Sequence, residues 1–229
     1  MQLPREYWSI TESEKCTLNT KTKINKVNAI LKEMFPESKC SLEHGSDVWH
    51  LLVMGRLSAQ CTDARVNEVC KTLFKEIPDV YSMAKADIEQ IQKLIFTCGL
   101  YRTKAKSLKE MATEIVENHN GQVPDTYEEL INLSGVGSKI ANLVLGDWFG
   151  KGGIVADTHC IRISNRLGFV NSTNQSVVER TLDPLLPKDE QSDYCHRMVD
   201  FGRSVCKAKN PECDNCPLRI AKLCNFKYK

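Results

Sequence analysis

The segment 133–139, with the sequence LSGVGSK, joins two predicted helices by a very short turn. Glycine allows positive φ and lets another backbone come close. The second helix of such a hairpin directs its first N–H groups and its positive dipole end at the turn, which suits a phosphate and reads no base sequence. The pattern predicts DNA-backbone contacts from Gly135, Val136, Gly137 and Ser138, although an ordinary tight turn between helices would use the same glycines.

Lys139 lies in the first turn of that second helix. A cation is disfavoured at the positive end of a helix dipole, so the position favours the neutral amine. A neutral amine is a nucleophile that can form a Schiff base with a carbonyl carbon. The alternative is a charged lysine that contacts a phosphate from a solvated helix face.

Asp157 follows the apolar run 154–156 at the predicted start of another helix. A plain helix cap is the simpler interpretation. The two roles are compatible, because backbone N–H groups hold a capping carboxylate rigid and ionised. Such a carboxylate can stabilise positive charge that develops on a sugar.

Four of the 11 cysteines cluster near the C-terminus with the spacing C-x6-C-x2-C-x7-C: Cys206, Cys213, Cys216 and Cys224. The odd count and an N-terminus without an apolar export signal argue against a disulfide framework and favour a reducing compartment. The other cysteines are predicted to be small buried hydrophobes. The formal net charge is only +2, but residues 203–229 carry seven basic and two acidic side chains.

The elements that must position these residues are predicted to be helices. Apolar side chains recur every three to four residues over 24–34, 66–74 and 105–115, and no convincing strand pattern occurs. Asp125 and Glu128 have capping-box spacing before a short helix that ends near residue 133. With 41% apolar and 26% charged residues the chain is of ordinary globular composition, and no apolar run reaches the roughly 18 residues of a membrane span.

An ordered set of motifs carries a family resemblance. The set consists of LSAQCTD (57–63), GLY (99–101), HNGQVP (119–124), LSGVGSK (133–139), VADTH (155–159) and the four C-terminal cysteines. Each motif alone is modest, but the ordered set, from about residue 21 onward, resembles the endonuclease III family of helix-hairpin-helix DNA glycosylases with AP-lyase activity.

The resemblance implies an all-α, two-domain helix-hairpin-helix glycosylase fold with a DNA-binding cleft between the domains. One domain would be a helical barrel at 42–151 that carries the hairpin. The other would be a discontinuous iron–sulfur domain formed by 21–41 and 152–229. Residues 1–20 would be an N-terminal arm outside the family match.

The resemblance also implies roles for single residues. Lys139 matches the Schiff-base lysine, Asp157 the catalytic aspartate, and Gln60 the glutamine that fills the space left by an extruded nucleotide. Cys206, Cys213, Cys216 and Cys224 match the ligands of a [4Fe–4S] cluster, with zinc as the alternative. His159 is expected to contact phosphate or to have a structural role rather than to transfer protons.

Two positions depart from the family pattern. The family turn usually reads L-P-G-V-G, and Ser134 replaces the proline here. The last cysteine interval is usually five residues, whereas residues 217–223 make it seven. Because a metal site constrains the sulfur atoms rather than the chain length, the extra residues can bulge outward.

The implied activity is that of a bifunctional DNA N-glycosylase and AP lyase of base excision repair. It would remove oxidised pyrimidines and nick the strand 3′ to the abasic site by β-elimination through a lysine Schiff base. The expected partner is double-stranded DNA with a damaged base or an abasic site, bound by a monomer with no membrane contact. The expected compartment is the nucleus in a eukaryote and otherwise the nucleoid-containing cytoplasm, and the protein is not expected to be secreted.

Two other functions compete with this one. A monofunctional glycosylase related to the mismatch adenine glycosylases would keep the hairpin, the aspartate and the cluster, but it would lack the lysine and use water. A non-catalytic DNA-binding module with a metal-stabilised fold would need neither Lys139 nor Asp157.

Overall fold

A computed structural model describes residues 20–228, and within that range every regular element is a helix. The predicted all-α class is confirmed. The elements are α1 (Thr20–Met34), α2 (Val48–Leu57), α3 (Asp63–Glu76), α4 (Val80–Lys85), α5 (Ile88–Leu94), α6 (Tyr101–Asn118), α7 (Tyr127–Asn132), α8 (Ser138–Asp147), α9 (Thr158–Leu167), α10 (Gln175–Leu182), a 3₁₀ helix (Asp183–Leu185), α11 (Lys188–Ser204) and α12 (Pro217–Ile220). The predicted N-terminal arm lies outside the described residues except for Thr20. None of the helices described between residues 20 and 228 is long and apolar enough to cross a bilayer.

Residues 40–150 form one compact unit, here called the hairpin unit, which contains α2 to α8. Its core surrounds α6, whose inner face is excluded from solvent and consists of Ala105, Leu108, Met111, Ala112 and Ile115. These residues have the three- to four-residue spacing from which the helix was predicted. Helices α4 and α5 pack against α6, so α6 is the element on which this unit is built.

The second compact unit, here called the cysteine unit, consists of residues 20–39 and 151–228 in the described part of the chain. Helix α1 and helix α9 both pack against α11. The unit has its own apolar core, which includes Ile24, Leu31, Ile163, Tyr194 and Phe201. The chain therefore leaves this unit after α1 and returns to it at residue 151.

The helix cap predicted before α7 is displaced by one residue. Thr126, rather than Asp125, is the N-cap, and its Oγ1 accepts a hydrogen bond from the Glu129 backbone N–H at 3.4 Å. Both Asp125-x-x-Glu128 and Thr126-x-x-Glu129 satisfy the capping-box spacing. The predicted pair was wrong because spacing alone does not select between two overlapping boxes.

Candidate active site

The link between α7 and α8 is a tight four-residue turn. The Val136 N–H donates to the Leu133 carbonyl at 3.1 Å, and Gly135 has φ +76°. A positive φ at the third position is characteristic of a type II turn, which favours glycine there. Gly137 is the N-cap of α8 and contributes no side-chain hydrogen bond to the cap. The start of α8 is therefore left without a side-chain cap.

The inner side of this turn packs against an arginine. A Cβ atom added to Gly135 would lie 2.4 Å from Arg56 Nε, so glycine is required for contact as well as for φ. Arg56 Nε donates to Ser107 Oγ at 2.8 Å, and burial lowers the pKa of Arg56. The arrangement puts a positive charge behind the glycine turn. Sequence reasoning missed Arg56, because its neighbours are distant in the sequence.

The outer side of the turn is tied to α6. The Ser134 backbone N–H donates to Glu114 Oε2 at 2.8 Å, and the Ser134 hydroxyl donates to Glu110 Oε2 at 2.7 Å. Glu110 also forms an ion pair with Lys106 at 3.6 Å. The turn is thus attached to the central helix of the hairpin unit by two hydrogen bonds to carboxylates.

The residues that this hairpin presents to solvent are small or cationic. Gly135, Gly137 and Lys139 are exposed, whereas Val136 is buried in the core of the hairpin unit. An elongated anion can approach such a surface closely because no bulky side chain covers it. The exposed amine of Lys139 lies in the first turn of α8, as predicted.

Gln60 lies in the loop after α2 in the same unit. It is exposed and has φ +53°. A Cβ added to Gly99 would lie 3.3 Å from the Gln60 carbonyl oxygen. The buried Lys104 holds the end of α2 by donating to the Leu57 carbonyl at 2.7 Å, and burial lowers the pKa of Lys104. The Gln60 loop is therefore packed against the start of α6.

Leu100, which follows Gly99, is a second residue that sequence reasoning missed. Its side chain is 59% exposed and its φ is +57°. Positive φ is uncommon for a non-glycine residue, and a large apolar side chain held outward in this way is a candidate for contact with a ligand. The motif GLY was noticed in the sequence, but nothing in it indicated that the leucine would point to solvent.

Asp157 is placed at the N-cap of α9 in the cysteine unit, as predicted. Its carboxylate accepts a hydrogen bond from the Cys160 N–H at 2.7 Å. Side chains of α11 fix the chain segment that precedes Asp157. The Gly153 N–H donates to Gln191 Oε1 at 2.8 Å, and the Val155 N–H lies 3.3 Å from Cys195 Sγ. The chain segment before Asp157 is therefore tied to α11, and Oδ1 of its carboxylate is tied to the first turn of α9.

His159 lies two residues beyond this carboxylate. Arg162 Nη2 lies 3.2 Å from His159 Nδ1, and His159 also forms a hydrogen bond with the Gly202 backbone. Burial lowers the pKa of His159. The positive charges of Arg162 and Arg203 also lower it, whereas the negative charge of Asp157 acts to raise it. A Cβ on Gly202 would lie 2.3 Å from Nδ1, so this glycine makes room for the ring.

The four C-terminal cysteines line one pocket of the cysteine unit: Cys206, Cys213, Cys216 and Cys224. Arg166 Nη1 donates to Cys206 Sγ at 3.2 Å, and the same guanidinium donates to the Lys207 carbonyl at 2.7 Å. Burial raises the pKa of Cys216 to about 11. Across residues 20–228, no three or more His, Cys, Asp or Glu side chains are arranged to hold a single metal ion.

Helix α12 lies inside the last cysteine interval. Residues Pro217–Ile220 form its single turn, and Lys222 has φ +58°, which reverses the chain before Cys224. The seven-residue interval between Cys216 and Cys224 therefore contains a compact helical turn.

Comparison with known proteins identifies the family. The model of the HhH-GPD superfamily of base excision DNA repair proteins matches residues 53–188. Endonuclease III of Synechocystis sp. is 40% identical over 205 residues, which cover 89% of this chain and 92% of that protein. Endonuclease III of Bacillus subtilis is 43% identical over 187 residues, which cover 81% of this chain and 85% of that protein.

A solved structure agrees with the sequence relatives. The trapped endonuclease III–DNA covalent intermediate has a TM-score of 0.84 and 40% identity, and the match covers 91% of this chain and 97% of that one. The chain therefore belongs to the endonuclease III family of the HhH-GPD superfamily, and it is a bifunctional DNA glycosylase and AP lyase of base excision repair.

Proposed function

We propose that Lys139 is the nucleophile of this enzyme and that the turn before it binds the DNA backbone. The observation that carries the proposal is an exposed lysine in the first turn of α8, directly after a glycine turn without a side-chain cap. The likeness to a trapped covalent endonuclease III–DNA intermediate supports a covalent step between the protein and DNA. In this proposal the N–H groups of residues 135–138 face a phosphate, with Arg56 as a positive charge behind them.

The reaction begins with extrusion of the damaged nucleotide, because a base inside a stacked duplex is out of reach. Extrusion costs a few kcal/mol, and less for a damaged base. The neutral amine of Lys139 attacks C1′ of the deoxyribose, and the base leaves with the bonding electron pair. A lysine proton is then passed to O4′ as the C1′–O4′ bond breaks, so the sugar ring opens and C1′ forms a protonated Schiff base with the lysine nitrogen. The Schiff base acidifies the C2′ proton, and loss of that proton expels the 3′ phosphate by β-elimination.

Asp157 is proposed to stabilise the positive charge that develops on the sugar and to accept the lysine proton. Its support is the hydrogen bond from the Cys160 N–H, which fixes the carboxylate in place. His159 is proposed to contact a phosphate through Nε2, since Nδ1 already faces Arg162. A phosphate contact agrees better with a neutral ring than proton transfer does.

Gln60 and Leu100 are proposed to enter the duplex where the nucleotide has left it. Both side chains are exposed, and the Gly99 contact keeps their two loops together. A glutamine amide can donate to and accept from the orphaned base, and a leucine can replace the lost stacking. The proposed substrates are oxidised pyrimidines in double-stranded DNA.

Proteins of the endonuclease III family generally bind a [4Fe–4S] cluster. We propose that Cys206, Cys213, Cys216 and Cys224 are its ligands in this chain. The shared pocket and the Arg166 donor to Cys206 Sγ fit an anionic thiolate set. Zinc would need its four ligands to converge on one point, whereas a cluster keeps the sulfurs apart. When bound, the cluster cross-links residues 206–224 through four Fe–S bonds.

The ligand set is tested by metal analysis of the purified protein. Iron with an absorbance band at about 400 nm supports the cluster, and zinc in a colourless sample overturns it. The compartment stays a prediction: the bacterial origin of the relatives favours nucleoid-containing cytoplasm over a nucleus.

Borohydride trapping tests the catalytic proposal. The protein is mixed with duplex carrying thymine glycol or an abasic site, and borohydride reduces any lysine–sugar imine to a stable amine. Wild type should form a covalent adduct with both duplexes, and Lys139→Gln should form none while still binding DNA. A Lys93→Gln control removes an equal charge from an exposed site on α5 and should trap normally. An adduct that survives in Lys139→Gln assigns the chemistry to another amine and contradicts the proposal.

A further inference from the structure

We propose that Ser134, Glu110 and Glu114 form a positioning set that holds the hairpin turn in the shape that binds DNA phosphate. The inference rests on the proposed role of the turn as a DNA-backbone site. It concerns residues that do not touch the reacting atoms: Ser134 is the second residue of the turn, and both glutamates lie on α6. The set acts on how tightly DNA is bound rather than on the chemical step.

The turn position of Ser134 normally benefits from a residue with restricted φ. Ser134 is the second residue of the type II turn closed by the Leu133–Val136 hydrogen bond, and proline is favoured there because its ring fixes φ near −65°. Leu133, with φ −71° and ψ 143°, already has the extended conformation that a residue before proline adopts. The backbone suits proline, but the chain has a serine, which does not restrict φ by itself.

Two hydrogen bonds replace that restriction. Proline has no N–H and no hydroxyl, whereas Ser134 uses both groups, one for Glu114 and one for Glu110. The two carboxylates are four residues apart on α6 and so lie on one helix face. Hydrogen bonds to ionised acceptors are shorter and stronger than those between neutral groups. The anchored serine is thereby fixed at two points to the central helix of its unit.

The glutamates also have an electrostatic disadvantage, which makes the proposal testable. A carboxylate close to a phosphate-binding turn repels DNA, and Lys106 offsets only the charge of Glu110. If the glutamates acted through charge alone, removing one would tighten DNA binding. If they hold the turn, removing one weakens binding. The two explanations predict opposite signs.

The first measurement is the affinity of Glu114→Ala for duplex with a tetrahydrofuran abasic analogue. The Kd should rise about threefold to tenfold, and Glu114→Gln should stay within about twofold of wild type because its amide oxygen still accepts. The KM for cleavage should rise with Kd, while the single-turnover rate at saturating enzyme stays within about twofold. Glu117→Ala removes the same charge from an exposed site on α6 and is the matched control. It should leave Kd unchanged or lower it.

The second measurement is a double-mutant cycle with Ser134→Pro. Proline supplies the φ restriction and offers no donor, so Glu114→Ala should have no weakening effect in that background. If Ser134→Pro does not fold, Ser134→Ala with Glu110→Ala gives the equivalent cycle for the hydroxyl. Equal weakening in both backgrounds, or tighter binding by Glu114→Ala in wild type, overturns the positioning set. Wild-type protein that fails to bind the duplex at all contradicts the proposed function instead.

Discussion

The starts of α8 and α9 are the same kind of structure and are used in opposite ways. The N-cap of α8 is Gly137, which has no side chain to accept from the first N–H groups. The N-cap of α9 is Asp157, whose carboxylate accepts from the Cys160 N–H at 2.7 Å. An uncapped helix start can bind an outside anion, whereas a capped one immobilises its own. In the proposed mechanism, the residue at one position thus decides whether a helix start holds a substrate phosphate or a catalytic carboxylate.

The starts of α8 and α9 also differ in the residues that hold them in place. The α8 turn is exposed and is held by side chains from elsewhere, namely Arg56, Glu110 and Glu114. The α9 start follows a buried segment whose backbone is tied to Gln191. The turn before α8, which is proposed to bind DNA, is thus exposed to solvent and is attached to the rest of its unit on its other side. A carboxylate that must not move is placed beside a packed core.

The largest effect is expected from Asp157→Asn. Asparagine caps a helix as well as aspartate does, so this change removes the charge and keeps the structure at the start of α9. The rate of base removal should fall about 10²- to 10⁴-fold, because the developing positive charge on the sugar loses its carboxylate. Single-turnover excision from a thymine glycol duplex measures it, with the affinity for the same duplex as a separate readout.

Asp157→Ala is the matched variant for the cap. It removes both charge and cap, so its rate should equal that of Asp157→Asn while its stability falls by about 1 kcal/mol, or roughly 2–4 °C in apparent Tm. A rate loss that appears in the alanine variant and is absent in the asparagine variant would show that the carboxylate has only its structural role.

Much of this arrangement could be predicted from the sequence because it is local. The capping role of Asp157 and the hairpin glycines depend on residues within a few positions of one another, where residue type largely sets the backbone conformation. The period of the apolar residues gave α6 and its buried face for the same reason. The displaced cap at Thr126 shows the limit of local reasoning, since two overlapping patterns had equal claims.

The supports of the hairpin could not be predicted because they are distant in the chain. Arg56 bonds to Ser107 across 51 positions, and Ser134 bonds to residues 20 and 24 positions before it. Nothing in the local sequence of Ser134 indicates a glutamate partner, since α6 carries several acidic side chains and only the packing of α6 selects two of them. The exposed Leu100 was missed because its positive φ depends on the loop that precedes it.

A smaller effect is expected when α8 is given the kind of cap that α9 has. Gly137 has φ −107° and ψ 178°, and an added Cβ would have no atom within 4 Å, so Gly137→Ser fits without strain. The new hydroxyl would accept from an N–H group at the start of α8 and compete with the phosphate. The stability should rise by a few tenths of a kcal/mol, and the Kd for DNA should rise about threefold to tenfold.

The salt dependence of DNA binding and an alanine control show why Gly137→Ser weakens binding. Since Gly137→Ser removes no charge, the slope of log Kd against log salt should stay that of wild type, whereas loss of a cationic contact would reduce it by about one. Gly137→Ala adds bulk without an acceptor and should bind more tightly than the serine variant. Equal weakening by both would mean that the glycine serves only to let the phosphate approach.

The smallest effect concerns the pH dependence of stability at His159, beside the capped carboxylate. Its pKa in the folded protein lies below the ordinary 6.5, first because of burial and then because of Arg162 and Arg203. As the pH falls below 6.5, His159 binds a proton in the unfolded chain but not yet in the folded protein. The free energy of unfolding therefore decreases as the pH falls from 6.5 toward the pKa of the folded protein. His159→Gln should remove this contribution, and its apparent Tm should fall about 1–2 °C less than that of wild type between pH 7.5 and 5.5.

Arg203→Gln removes one charge that lowers the pKa of His159 and should give an intermediate decrease in Tm. A wild-type Tm that falls no more than that of His159→Gln would mean that the folded ring accepts a proton as readily as the unfolded one, and the phosphate contact would then involve an imidazolium rather than a neutral ring.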